Sequence, residues 1–144
     1  APGWAGHARA AFVGIGWHTR PIDLLQAGLE AVAYRFALIY ALLTEAIAGG
    51  EEIIVSGGAL LSSPAWTQIL CDVLGWPVIA SAEPEATSRG AALIALEALG
   101  ALADAGDAPT ALGATFEPRP DRHARYREAC ERQRHLYRKL IVEM

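Results

Sequence analysis

The residues best able to meet a ligand through bare backbone are Gly57 and Gly58, in the run IIVSGGALLSSP. Two glycines directly after a short β-branched stretch remove the Cβ atoms that would hold a ligand off the chain. Ser62-Ser63-Pro64 then opens a helix, whose first turn offers N–H groups and a positive dipole end. That combination suits a phosphate, or the polar edge of a ribose or base. The same residues also make a plain tight turn between strand and helix, and spacing alone leaves both readings open.

Other chemistries find less support. Gly14-Ile15-Gly16 lies between an apolar run and a helix, but the sixth position of a dinucleotide fingerprint is Thr19 instead of Gly or Ala. No G-x-x-x-x-G-K-[ST] run occurs, and the single lysine, Lys139, is far from any glycine turn. His7, His18, His123 and His135 are widely separated, and Cys71 and Cys130 do not join them at ligand spacing. His18, beside Thr19, reads as a residue at the start of a helix contacting backbone. Ser56, Ser62 and Ser63 lack the G-x-S-x-G context of a nucleophile elbow. Asp23, Glu30, Asp72, Glu83 and Glu85 read as caps, surface charges or ion-pair partners and not as bases.

The elements that must carry the glycine pair follow from hydrophobic period. Ala11 to Ile15 (AFVGI) predicts a short strand, and Pro21 starts a long helix with Leu25, Leu29, Val32, Phe36, Leu43 and Ile47 as its core stripe. Gly49-Gly50 stops that helix, and Asp23, Glu30, Arg35 and Glu45 interrupt it too often for a membrane span. Ile53 to Ser56 and Pro77 to Ser81 predict buried strands around a helix that ends at Gly75 in a left-handed cap. A further helix is expected from Glu85 to Leu102, then a loop over 106–120 and a last helix over 121–144. Strands alternating with helices imply an α/β fold of parallel βαβ units.

Composition narrows the partners. The 144 residues are 53% hydrophobic and 19% charged with a net charge of -4, enough for one core over 1–105 and too acidic for a general nucleic-acid or anionic-membrane surface. The arginines of the last helix, with Glu128 and Glu131 among them, read as a solvated face. Cys71 and Cys130 lie on apolar stripes as small buried thiols, which fits a reducing cytoplasm. The start, APGWAGHARA, has no signal-peptide pattern and no initiator Met, which fits a chain cut from something longer and equally one processed or trimmed by design.

Four ordered blocks, HARAAFVGI, DLLQAGLEAVAYRF, IIVSGGALLSSPAWTQILCDVLGWPV and EATSRGAALIAL, together resemble the C-terminal region of the FGGY carbohydrate kinases over Ala1 to Ala101. The resemblance implies an actin-like (ribonuclease-H-like) ATPase domain, present in part, that closes with a second domain on sugar and Mg-ATP. It implies that Gly57, Gly58, Ala59 and Ser62 face the adenine and ribose, and that Gln68 and Asp72 pack behind them. Many members have a third glycine at the position of Ala59 and a larger polar residue at that of Ser62, which touches nucleotide preference. The family's aspartate base and phosphate loops match nothing here, so no residue is expected to be catalytic and the isolated chain is expected to be inactive. Implied partners are ATP or ADP, Mg2+, and a sugar or polyol held by the other domain. Gluconate or xylulose is favoured by the wording of APGW and HTRPIDLLQAGLEAVAYRF. The exposed cleft face of such a portion would be apolar, with dimerisation as one outcome. The contrasting expectation is a stand-alone, non-catalytic actin-like binding module.

Overall fold

In the computed structural model, which describes residue 6, residues 8–47 and residues 52–142, the chain is a partial α/β domain. The order is α1 (Pro21–Ala46), β1 (Ile53–Val55), α2 (Gly58–Leu61), α3 (Pro64–Leu74), β2 (Val78–Ser81), α4 (Ala86–Ala98), β3 (Leu112–Phe116) and α5 (Pro120–Tyr137). A π turn, Arg138–Val142, continues α5. The expected stop at Gly49-Gly50 lies outside the described residues.

β1 and β2 pair in parallel, Ile53 opposite Val78 and Val55 opposite Ala80, so the glycine pair does sit inside a βαβ unit. The sheet as a whole is mixed, because β3 runs antiparallel along the far side of β2 with Val78 opposite Phe116. The stretch 106–120, expected to be a loop, therefore contains a strand. Its LGATF sequence hides the signal: only Phe116 is partly covered, so no apolar alternation marks it. Gly113 lets the strand come close, since a Cβ there would lie 3.1 Å from the Ala80 carbonyl oxygen. Conversely, Ala11 to Ile15 has no ladder partner among the described residues, and Phe12, Val13 and Ile15 are exposed. Strand propensity without a neighbouring strand makes no ladder.

α3 is the hub, touched by α1, α2, β3 and α5. The core gathers Ala33 and Tyr34 of α1, Val55, Leu70, Cys71, Val73 and Val78. The expected inward stripe of α1 is a correction: Leu25, Val32, Phe36, Leu43 and Ile47 are all exposed. Small Ala33 allows a close approach, while Trp66 Nε1 donates to the Leu29 carbonyl at 3.2 Å and Tyr126 Oη to Glu30 at 3.1 Å. Those bonds aim the Ala33 side of α1 at α3 and α5 and leave the broad apolar stripe outward. By length and a hydropathy of 1.3 α1 is apolar enough to cross a membrane, yet its middle is tied into these two helices. Burial, then the Glu30 charge, pushes the Tyr126 phenol up to about 12.

Local caps follow the residues. Pro21 opens α1 and Asp23 accepts from the Arg20 backbone N–H at 2.9 Å. Gly75 closes α3 at φ 67. Beyond it, Asp72 is wholly buried and paired with Arg119, as an ion-pair partner should be. It accepts from the Arg119 backbone N–H at 2.9 Å, from the guanidinium at 2.5 and 3.0 Å, and from Gln68 Nε2 at 3.0 Å. Burial alone would raise the Asp72 carboxyl, but the hydrogen bonds from Arg119 and Gln68 outweigh it and hold the group below its ordinary value.

Two stability predictions follow from this corner. Gly75→Ala forces a Cβ into the left-handed region and against the His123 ring, so it is expected to cost about 1–3 kcal/mol in urea unfolding. Asp72→Asn is expected to cost about 2 kcal/mol near neutrality. A carboxyl held low contributes stability above its unfolded value and loses it on protonation, so the gap between wild type and variant should narrow as pH falls below about 4. A gap that does not change with pH would place the loss in packing instead of the ion pair.

Candidate nucleotide-binding turn

β1 delivers the chain to Gly57, which adopts φ 94, a conformation that side-chain-bearing residues rarely take. Gly58 then begins α2, one tight helical turn closed by Leu61 N–H to the Gly57 carbonyl at 3.1 Å and Ser62 N–H to the Gly58 carbonyl at 2.9 Å. The two glycines thus do separate work. Gly57 makes the bend, whereas Gly58 has an ordinary backbone and matters for the room above it: a Cβ at either would meet nothing within 4 Å. Ser56, Gly57, Gly58, Ala59 and Ser62 are all exposed, and together they present an open stretch of backbone.

The sequence-predicted residues stand together here, in unequal roles. Ala59 contributes only a methyl group beside the bare backbone. The Ser62 hydroxyl donates to the Gly58 carbonyl, so it serves the turn before any ligand. The start of α3 is better satisfied than expected: Pro64 has no N–H, Ser63 Oγ accepts from Trp66 N–H at 3.4 Å, and the Ser63 carbonyl accepts from Trp66 and Thr67. A ligand at this corner would meet the glycine backbone more than the helix end. Beside the turn, an apolar hollow of about 320 Å³ between α1 and β1 is lined by Phe36, Ile39, Tyr40, Leu43, Leu60 and Leu74, with Ser56 at its polar edge.

Behind the turn lies a residue that pattern reading passed over. Thr67, nearly fully buried, donates its hydroxyl to the Leu60 carbonyl at 2.9 Å, seven residues back. A lone Thr in an apolar helix stripe carries no signal by period, and only the contact reveals it. Gln68 packs as the family positions implied, donating to Asp72 and to the Glu117 carbonyl at 2.9 Å. His18 makes no such bond; its neighbour Thr19 does, accepting from Gly16 N–H at 2.9 Å. Glu83 pairs with Arg89 at 3.5 Å, and Glu85 precedes α4 as its N-cap residue.

Among the described residues no group of three His, Cys, Asp or Glu is placed to hold a metal. Cys71 and Cys130 are unbridged. Burial, foremost, pushes the Cys71 thiol up to about 11, and it also raises Cys130, so neither is a ready thiolate. Cys71 Sγ lies 3.2 Å from the Phe116 carbonyl and 3.3 Å from that of Trp76, and its one proton serves one of them at a time.

The chain is similar in sequence and fold to known proteins. Residues 1–99 match the family described as "FGGY family of carbohydrate kinases, C-terminal domain". A glycerol kinase of Deinococcus radiodurans is 39% identical over 101 residues, covering 69% of this chain and 20% of that protein. A gluconokinase of Bacillus subtilis is 26% identical over 120 residues, covering 83% and 23%. The crystal structure of xylulose kinase from Rhodospirillum rubrum superposes with a TM-score of 0.76 at 29% identity, over 92% of this chain and 28% of that one. The chain therefore spans about a fifth to a quarter of the length of the curated relatives it matches. With the family match and the actin-like architecture in agreement, the chain belongs to the FGGY family of carbohydrate kinases, as part of the C-terminal domain.

Proposed function

We propose that this chain is the ATP-side portion of a kinase that moves the γ-phosphoryl group of ATP to a hydroxyl of a sugar or polyol. The observation that carries the reading is the exposed Gly57-Gly58 backbone, which has open space where any side chain would stand. A flat adenosine fits such a surface because backbone N–H and C=O groups can reach it without an intervening Cβ. Ala59 and Ser62 border it, the first by its small size and the second by holding the Gly58 carbonyl. When bound, ATP supplies the transferable phosphoryl group; the chain's own part is to orient the nucleoside end. The described residues offer no acidic cluster for Mg2+, so no step through the metal is assigned to them.

Phosphoryl transfer depends on positioning and on charge stabilisation around the transferred group. Asp72, wholly buried and paired with Arg119, is not proposed as a base. The reaction is proposed for the complete gene product, since the chain spans only about a fifth to a quarter of the curated relatives' length. Glycerol, gluconate and xylulose are the substrates named for the relatives, and the acceptor proposed here is a small polyhydroxy compound of that class, gluconate or xylulose first. Free Cys71 and Cys130 accord with a cytoplasmic enzyme.

Gly58→Val is the direct test, because Gly58, unlike Gly57, needs no unusual φ and the variant should fold. In the complete gene product the expected result is a rise of about tenfold or more in KM for ATP, with KM for the acceptor nearly unchanged. An unchanged KM for ATP would remove the nucleotide from this turn. Absence of ATP-dependent phosphorylation across glycerol, gluconate and xylulose would remove the proposed activity.

A further inference from the structure

Thr67 and Asp72 are the buried polar side chains among the described residues, and Asp72 is accounted for by its ion pair. Thr67 has no charge partner. Its hydroxyl sits where a valine would fill the same space, and a buried hydroxyl is tolerated only when it is hydrogen-bonded. The bond it makes does not serve α3, whose own ladder is satisfied there by Thr67 N–H to the Ser63 carbonyl at 3.0 Å. Instead it crosses to the Leu60 carbonyl, in the last turn of α2.

Within the segment 57–62 every other hydrogen bond is local. Leu61 and Ser62 N–H groups reach back to the Gly57 and Gly58 carbonyls, the Ser62 hydroxyl does the same, and Ser63 N–H reaches Leu60. Such bonds give the turn its internal shape but cannot fix its attitude to the rest of the protein. Among the described residues, the bond from Thr67 is the hydrogen bond that links this turn to the body of α3. α3 is in turn held by Leu29 through Trp66 and by Arg119 through Asp72, so the anchor is a rigid one.

We propose that Thr67 is a positioning residue for the nucleotide-binding turn: its hydroxyl sets the height and tilt of the Gly57–Ser62 backbone over which the nucleoside lies. The inference rests on the reading of that turn as the nucleotide site. Thr67 touches no nucleotide; it acts through Leu60. Loss of the hydroxyl with retention of volume should leave the core filled and let the turn move.

The experiment compares wild type, Thr67→Val, Thr67→Ser and Gly58→Val in the complete gene product. Amide hydrogen exchange without nucleotide reports the turn, and steady-state kinetics reports its use. Thr67→Val is expected to speed exchange at the Leu61, Ser62 and Ser63 amides severalfold while the middle of α3 stays protected. It is also expected to raise KM for ATP about fivefold at nearly constant kcat, the scale of one hydrogen bond. Thr67→Ser, which keeps the hydroxyl and leaves a small void, should return both readings toward wild type. If exchange at 61–63 is unmoved, or rises equally throughout α1 and α3, Thr67 is a core residue only and the proposal falls. A KM for ATP raised by Gly58→Val but not by Thr67→Val also overturns it, while leaving the site in place. Should neither variant move KM for ATP, the site itself is wrong, and the positioning role falls with it.

Discussion

A carboxylate withdrawn from water must find donors, and Asp72 finds four of them: Gln68 Nε2 four residues earlier on the same helix, and the backbone N–H, Nε and Nη2 of Arg119, 47 residues later. The requirement is severe because an unpaired buried charge is far more costly than an unpaired surface one. Meeting it draws residues 117–123 across the back of α3. Once they lie there, β3 has to arrive along β2 and α5 has to leave past Gly75, where His123 packs and its Nδ1 meets the Asp72 carbonyl at 2.9 Å. One side chain of α3 thus helps to place both β3 and α5, beside the ladder to β2 and the Tyr126–Glu30 bond.

The same helix organises the opposite end. Its first turn is closed by Ser63 and Pro64, its second reaches back to α2 through Thr67, and Trp66 bonds to α1. α3 therefore stands between an ion pair at one end and an open glycine turn at the other. Because both ends hang on one short rigid rod of 11 residues, the turn inherits the fixity of the ion pair without touching it. The division of labour within the turn is equally economical, with Gly57 bending, Gly58 clearing space and Ser62 closing the loop on itself.

What could be read in the residues was whatever is decided locally. The βα turn, the Ser63-Pro64 helix start and the left-handed Gly75 cap depend on a few neighbouring positions, and all stand as the sequence implied. Features decided by a distant partner were not legible. β3 has little apolar alternation and exists because β2 offers an edge; Ala11 to Ile15 has the apolar character of a strand but pairs with none among the described residues. On α1 the most hydrophobic stripe looked like the core face, but Ala33, Tyr34 and Glu30 make the contacts, a choice set by Trp66 and Tyr126. Thr67 is the sharpest case, since one hydroxyl in a helical stripe means nothing until its acceptor is known.

The outward stripe of α1 has a thermodynamic consequence. Phe36, Leu42, Leu43 and Ile47 keep 46, 48, 51 and 62% of their surface in water in the folded chain, and Trp17 keeps 98%. Surface that does not change its hydration contributes neither to the heat capacity of unfolding nor to the denaturant slope. The urea dependence expected of such a chain is shallower than that of one of its size that buries the stripe fully. Covering the stripe would therefore do more than add stability: it would also steepen the response of the whole domain to denaturant.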